Sequence, residues 1–145
     1  MKKSVVSNCV LGILLSATFV ISSAAEPERP AKISTADLAG KMFQGPHVKK
    51  VTEGTSTALE VDTLTSADKK FQTGSYQAGP EHTDFNKDGY PEYEFFYVLK
   101  GSIKLTDAKG VQVIGPGEAV TIPKGWKGLW DSDGYTKVWV TYDPK

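Results

Sequence analysis

The chain has 145 residues, with 17 basic and 17 acidic side chains and two histidines, so its formal charge is zero. That length allows one domain, and the charge balance supplies no field that would attract nucleic acid or an anionic lipid surface. A single cysteine excludes a disulfide framework within the chain.

Residues 1–25 follow the three-part plan of a secretory signal peptide. Lys2 and Lys3 open it, an apolar run extends from Val10 to Ile21, and Ser23 and Ala25 occupy the −3 and −1 positions of a small-residue cleavage site. The run is shorter than the roughly 20 residues of a spanning helix, so the expectation is cleavage rather than a retained anchor. Cys9 precedes the apolar run, whereas a lipidated cysteine would follow it. The mature chain then keeps 15 basic and 17 acidic residues, a charge of −2, and no cysteine. It is expected in the periplasm or outside the cell, free of the membrane, and held together by its core.

Residues 26–56 read as a lead-in. Glu26 to Lys32 is polar with two prolines, and Ser34 or Thr35 can cap a short helix through Asp37 to Met42, closed at Gly45-Pro46. Residues 57–145 read as the folded domain, and its signals are all β. Expected strands run Thr57–Leu64, Phe71–Ala78, Tyr93–Leu99, Ser102–Thr106, Val111–Ile114, Ala119–Ile122, Gly128–Asp131 and Thr136–Tyr142, separated by turns rich in glycine, proline and aspartate. About eight strands this short imply an antiparallel sandwich or closed barrel, in which edge strands are hidden.

Alternation then sorts the side chains. Glu92, Glu94, Phe96 and Val98 share one face of their strand, and Tyr93, Phe95, Tyr97 and Leu99 the other. Lys137 and Trp139 share a face of the last strand. An inward Lys137 opposite Glu94 would form a buried or half-buried ion pair, tolerable only if well hydrogen-bonded. Such a pair can hold a polar ligand or move protons, which makes both residues candidate catalytic groups, or it can be structural. Trp126, Trp130 and Trp139, with Tyr76, can line a stacking wall or simply pack the core. Lys124 and Lys127 read as a solvated rim.

Asp84-Phe-Asn86-Lys-Asp88-Gly89-Tyr90 fits the opening of a calcium loop, with Glu92 at its ninth position. The twelfth position, where a bidentate glutamate completes the sphere, is Phe95, and a strand follows instead of a helix. The alternative is an acidic turn between strands.

Two segments resemble the cupin motifs. Glu94-Phe-Phe-Tyr-Val-Leu-Lys-Gly101 is similar to the second half of motif 1, and Gly117-Glu-Ala-Val-Thr-Ile-Pro123-Lys-Gly125 to the start of motif 2. The finer likeness, to the cupin_3 (DUF861, ureidoglycine aminohydrolase-like) branch, lies in Gly74-Ser-Tyr76, Pro80, Leu105-Thr-Asp107, Gly115-Pro-Gly-Glu-Ala119, Gly128-Leu-Trp130 and Lys137-Val-Trp-Val140. It covers roughly Phe71 to Tyr142. The resemblance implies an all-β, single-domain jelly-roll barrel with Glu94 pointing inward, after a short helix and a cleaved signal peptide. It also implies homodimers through barrel faces as a mode of assembly.

Metal-binding cupins place two histidines and a glutamate in motif 1 and a histidine in motif 2. Those positions here hold Asp88, Tyr90, Glu94 and Gly128, while His47 and His82 lie elsewhere, so no transition-metal cofactor is expected. The leading expectation is a metal-independent site for a small polar molecule, built from Tyr76, Glu92, Glu94, Phe96, Trp126, Trp130, Lys137 and Trp139. Relatives implied by the resemblance include a ureidoglycine aminohydrolase and an ethanolamine-utilisation cupin, which keeps C–N hydrolysis or isomerisation open. A non-catalytic structural or stress-related module is the third reading.

Overall fold

The computed structural model describes residues 29–53 and 56–144; the expected signal peptide lies outside the described residues. A one-turn helix, α1 (Thr35–Leu38), begins at Ser34, whose hydroxyl accepts from the Asp37 backbone while the Asp37 carboxylate accepts from the Ser34 backbone. This reciprocal cap satisfies two donors at the helix start. A 3₁₀ turn over Lys41–Gln44 follows, so the expected helix to Met42 is divided at Gly40, whose φ of 117° no α-helix accommodates.

Ten strands follow: β1 (Lys49–Glu53), β2 (Ser56–Thr65), β3 (Phe71–Ala78), β4 (Glu81–Asp84), β5 (Tyr93–Gly101), β6 (Ile103–Asp107), β7 (Gly110–Ile114), β8 (Ala119–Ile122), β9 (Leu129–Ser132) and β10 (Tyr135–Tyr142). They form two antiparallel sheets. One has the order β1-β2-β3-β10-β5-β8, the other β4-β9-β6-β7. This two-sheet antiparallel arrangement is that of a small jelly roll. All eight expected strands are present to within a residue or two at their ends.

Strands β1 and β4 are additions. Lys49-Lys-Val-Thr-Glu53 lies inside the segment read as a lead-in, and as an edge strand it carries the charged residues that discourage further pairing. Glu81-His-Thr-Asp84 has no apolar residue at all. Its backbone is held by pairing with β9, and its side chains face a cavity and solvent.

The core fills the space between the sheets. On β5, Glu94, Phe96 and Val98 are buried, while Tyr93, Phe95 and Tyr97 stand on the outer face, 45, 46 and 39 % exposed. Ile103 and Leu105 of β6, Ile114 of β7, Ile122 of β8 and Trp130 of β9 meet them from the other elements. The central strand is β10, paired on one side with β3 and on the other with β5. Its inward residues are Tyr135, Lys137, Trp139 and Thr141. A register shift between Thr136 and Lys137 interrupts the pairing with β5. The carbonyl of Lys137 there accepts a hydrogen bond from the fully buried Ser75 hydroxyl at 2.8 Å.

Gly101 ends β5 with φ of 69°, and a Cβ there would lie 2.8 Å from the Tyr135 Cα and nearer still to the Gly134 carbonyl oxygen. Left-handed backbone and overpacking thus act together, and Gly101→Ala is expected to cost about 2–4 kcal/mol. Urea denaturation measures it; a loss below 1 kcal/mol would show that this turn has room to relax.

Candidate functional site

A cavity of about 890 Å³ opens between the inner face of the larger sheet and β4 with the loop that follows it. Tyr76 on β3 and Lys137, Trp139 and Thr141 on β10 line one wall, with Glu92 and Glu94 beside them. Each is in place because alternation turns these positions inward. Trp139 pairs with Gly74 across β3 and β10. A Cβ on Gly74 would lie 2.6 Å from the Trp139 ring and 2.5 Å from the Val61 carbonyl, so only glycine leaves space for the indole.

The centre of the site is a buried ion pair. Lys137 Nζ donates to Glu94 Oε1 at 2.6 Å, with Lys137 6 % and Glu94 3 % exposed. The other carboxylate oxygen, Oε2, accepts from the Tyr90 hydroxyl. Rings surround the ammonium: the centroids of Phe96 and Trp130 lie 4.7 and 4.8 Å from Nζ, and those of Tyr76 and Tyr135 5.7 and 5.9 Å. Such distances are within cation–π range. Glu94 is opposite Thr141 rather than Lys137 in the β5–β10 register. The lysine therefore reaches along the strand, over the Phe96 ring, to meet it.

The remaining polar groups line this centre. Tyr135 donates to Glu81 Oε2 at 2.8 Å. Burial, reinforced by the Glu81 charge, pushes the Tyr135 hydroxyl far up, and burial with the Glu94 charge does the same to Tyr90. Both phenols therefore stay protonated and act as donors. Burial, with Glu94 nearby, raises Glu92, and burial, with Asp62 nearby, raises Glu60. The Trp130 indole Nε1 is buried and has no hydrogen-bond acceptor among the described residues, although its ring lines the cavity.

Of the expected site residues, Tyr76, Glu92, Glu94, Trp130, Lys137 and Trp139 line one cavity. Phe96 is fully buried beneath it, touching the pair through its ring rather than facing the open space. Trp126 stands outside. Its Nε1 donates to Asp107 Oδ2 at 3.0 Å, and its ring packs on Phe85, which does line the cavity. Tyr135, Thr141, Glu60 and Glu81 were not among the expected residues. Tyr135 and Thr141 follow from extending the alternation of Lys137 and Trp139 by one step in each direction.

In the loop with a calcium-like opening, Asp84 and Tyr90 both have partners within the protein. Asp84 Oδ1 accepts from the Asn86 backbone and side-chain nitrogens, both at 2.8 Å, closing an Asx turn. Tyr90 turns inward to Glu94, and its backbone bonds to Gly125 and Trp126. The oxygens of Asp84 and Tyr90 are thus directed to different neighbours. Among the described residues, no three His, Cys, Asp or Glu side chains are grouped to hold a metal ion.

The positions that the cupin resemblance assigns to a transition metal do not fit one. A Cβ at Gly128 would lie 2.5 Å from the Thr106 carbonyl oxygen and closer to the Trp126 ring, which leaves no space for an imidazole. Lys137 puts a positive charge against Glu94, where a dication would sit. His82 is at the rim, bonded to Asp131.

Breaking the buried pair from one side should be far worse than removing it whole. Lys137→Met is expected to lose about 3–5 kcal/mol of stability, and adding Glu94→Gln should restore most of it. A double-mutant cycle in urea checks this, and additive losses would show that the two charges do not depend on each other.

Comparison with known proteins matches the geometry. The family model for the EutQ-like cupin domain, Cupin_3, matches residues 65–137. Among curated proteins, none matches this chain. Among solved structures, one of unknown function from Rhizobium leguminosarum bv. viciae 3841 is similar, with 19% identity over 79% of this chain and 98% of that one, at a TM-score of 0.54. A DUF861-family protein from Pseudomonas syringae pv. tomato DC3000 superposes with a TM-score of 0.57 at 12% identity, covering 66% of this chain and 44% of its own. EutQ of Clostridium difficile shares 20% identity over 64% of this chain and 75% of its own, with a TM-score of 0.49. From β3 through to Lys137 on β10, motif and strand order agree: the chain belongs to the Cupin_3 family of EutQ-like cupin domains.

Proposed function

We propose that this barrel, exported after signal-peptide cleavage, binds one small polar molecule in its cavity without a transition metal. The observation that carries the reading is a roomy cavity whose inner end is a buried ion pair ringed by aromatic side chains. Cavities of this size with a few convergent polar groups are the common form of a small-molecule site. Tyr76 and Trp139 supply ring faces, and Glu81 and Glu92 supply acceptors for hydroxyl or amine protons.

Binding is favoured over catalysis by the state of Glu94. One oxygen receives Lys137 and the other Tyr90, so the carboxylate holds its neighbours instead of waiting for a substrate proton.

A thermal-shift screen of small polar metabolites on the purified protein tests the reading. A ligand at about 100 times its Kd should add about 2.7 kcal/mol, a rise of several degrees. The rise should shrink in Trp139→Leu, and metal analysis should find no stoichiometric transition ion. A hit that survives Trp139→Leu unchanged would place the ligand elsewhere, and a blank screen would favour a structural module.

A further inference from the structure

We propose that the molecule held here is a small organic cation, its positive charge facing the carboxylate and aromatic walls of the cavity. This rests on reading the barrel as a small-molecule site.

The charge of the lining is the first reason. Glu60, Glu81, Asp84, Glu92 and Glu94 line the cavity, and among the described lysines and arginines only Lys137 does. Lys137 is taken up by Glu94, and His82, the other basic lining residue, by Asp131. Lys49 approaches Glu60 at 3.8 Å from outside, but it also binds Asp62, to which it is nearer. Glu60 and Glu92, half removed from water, and the more open Asp84 favour a ligand of opposite sign.

The second reason is how that charge is spread. No three acidic, histidine or cysteine side chains among the described residues are grouped to hold a metal ion. The carboxylates instead border about 890 Å³ of space, which suits a diffuse cation of several atoms better than a bare ion that draws its ligands to within about 2.5 Å.

The third reason is the wall material. The protein already keeps one ammonium of its own, on Lys137, within 4.7–5.9 Å of four ring centroids. Tyr76, Trp130 and Tyr135 of that set line the cavity, and Phe85, Tyr90 and Trp139 extend the aromatic surface beyond them. Ring faces combined with carboxylates are the surroundings in which ammonium ligands are recognised.

The test uses the indole N–H resonances of the full protein, titrated with four probes. Choline and putrescine are the cations, neohexanol is the uncharged carbon isostere of choline, and tert-butylacetate is an anion of like size. Choline is expected to shift the Trp130 and Trp139 signals saturably and to bind at least about tenfold more tightly than neohexanol, with no response to the anion. Its affinity should weaken several-fold in Glu92→Gln. It should also weaken as pH falls. Glu60, facing Asp62, Lys49 and Lys137, and Glu92, facing Glu94, Asp143 and Lys137, both take up protons above the usual carboxylate range because they are buried. Each proton gained removes a negative charge, so cation binding is strongest above those raised pKa values.

If neohexanol matches choline, or the anion binds more tightly, the ligand is not a cation and the inference fails while the cavity stands as a binding site. If neither cation moves an indole signal the inference also fails, and a blank metabolite screen would then remove the binding reading with it.

Discussion

The interior of this barrel is organised around one pair of opposite charges largely removed from water. Moving a carboxylate and an ammonium out of water costs several kcal/mol each after relaxation, and only close geometry with further hydrogen bonds offsets it. The Lys137–Glu94 contact is short, Tyr90 completes the carboxylate, and four rings surround the ammonium. Those partners come from β3, β5, β9 and β10 and from the loop before β5. The pair therefore specifies how both sheets meet: a structure that misplaces any of these elements leaves a bare charge in a low-dielectric space.

The same arrangement explains why a cupin can lack the imidazole set that its metal-binding relatives use. A barrel interior with an inward glutamate needs a positive partner for it. Here a lysine on β10 supplies that charge covalently, and the space beside Gly128 is filled by the Trp126 ring and the Thr106 carbonyl. The cation is part of the chain.

Much of this was legible in the sequence, for identifiable reasons. Alternation grouped Glu94 with Phe96 and Val98 and Lys137 with Trp139, because a strand imposes a period of two, and the cupin resemblance supplied which face of Glu94's strand turns inward. The strands Phe71–Ala78 and Ala119–Ile122 were bounded by their turns to the residue. What escaped was polar. Glu81-His-Thr-Asp84 shows no apolar alternation because its side chains face a cavity and solvent, and Lys49–Glu53 is a charged edge. Trp126 was grouped with the pocket residues because composition reveals a tryptophan but not the Asp107 carboxylate that turns it away.

The register shift between Thr136 and Lys137, with the Ser75 hydroxyl bonded to the Lys137 carbonyl, has a wider implication. It sets the phase of the central strand against both neighbours. Adding or deleting one residue in β10 would exchange its two faces, carrying Lys137 and Trp139 outward and Val138 and Val140 inward. The inward face of β10 therefore tolerates exchange of side chains at fixed positions, while a change of chain length is accommodated in the hairpin turns, such as the one between β6 and β7, where no phase is at stake.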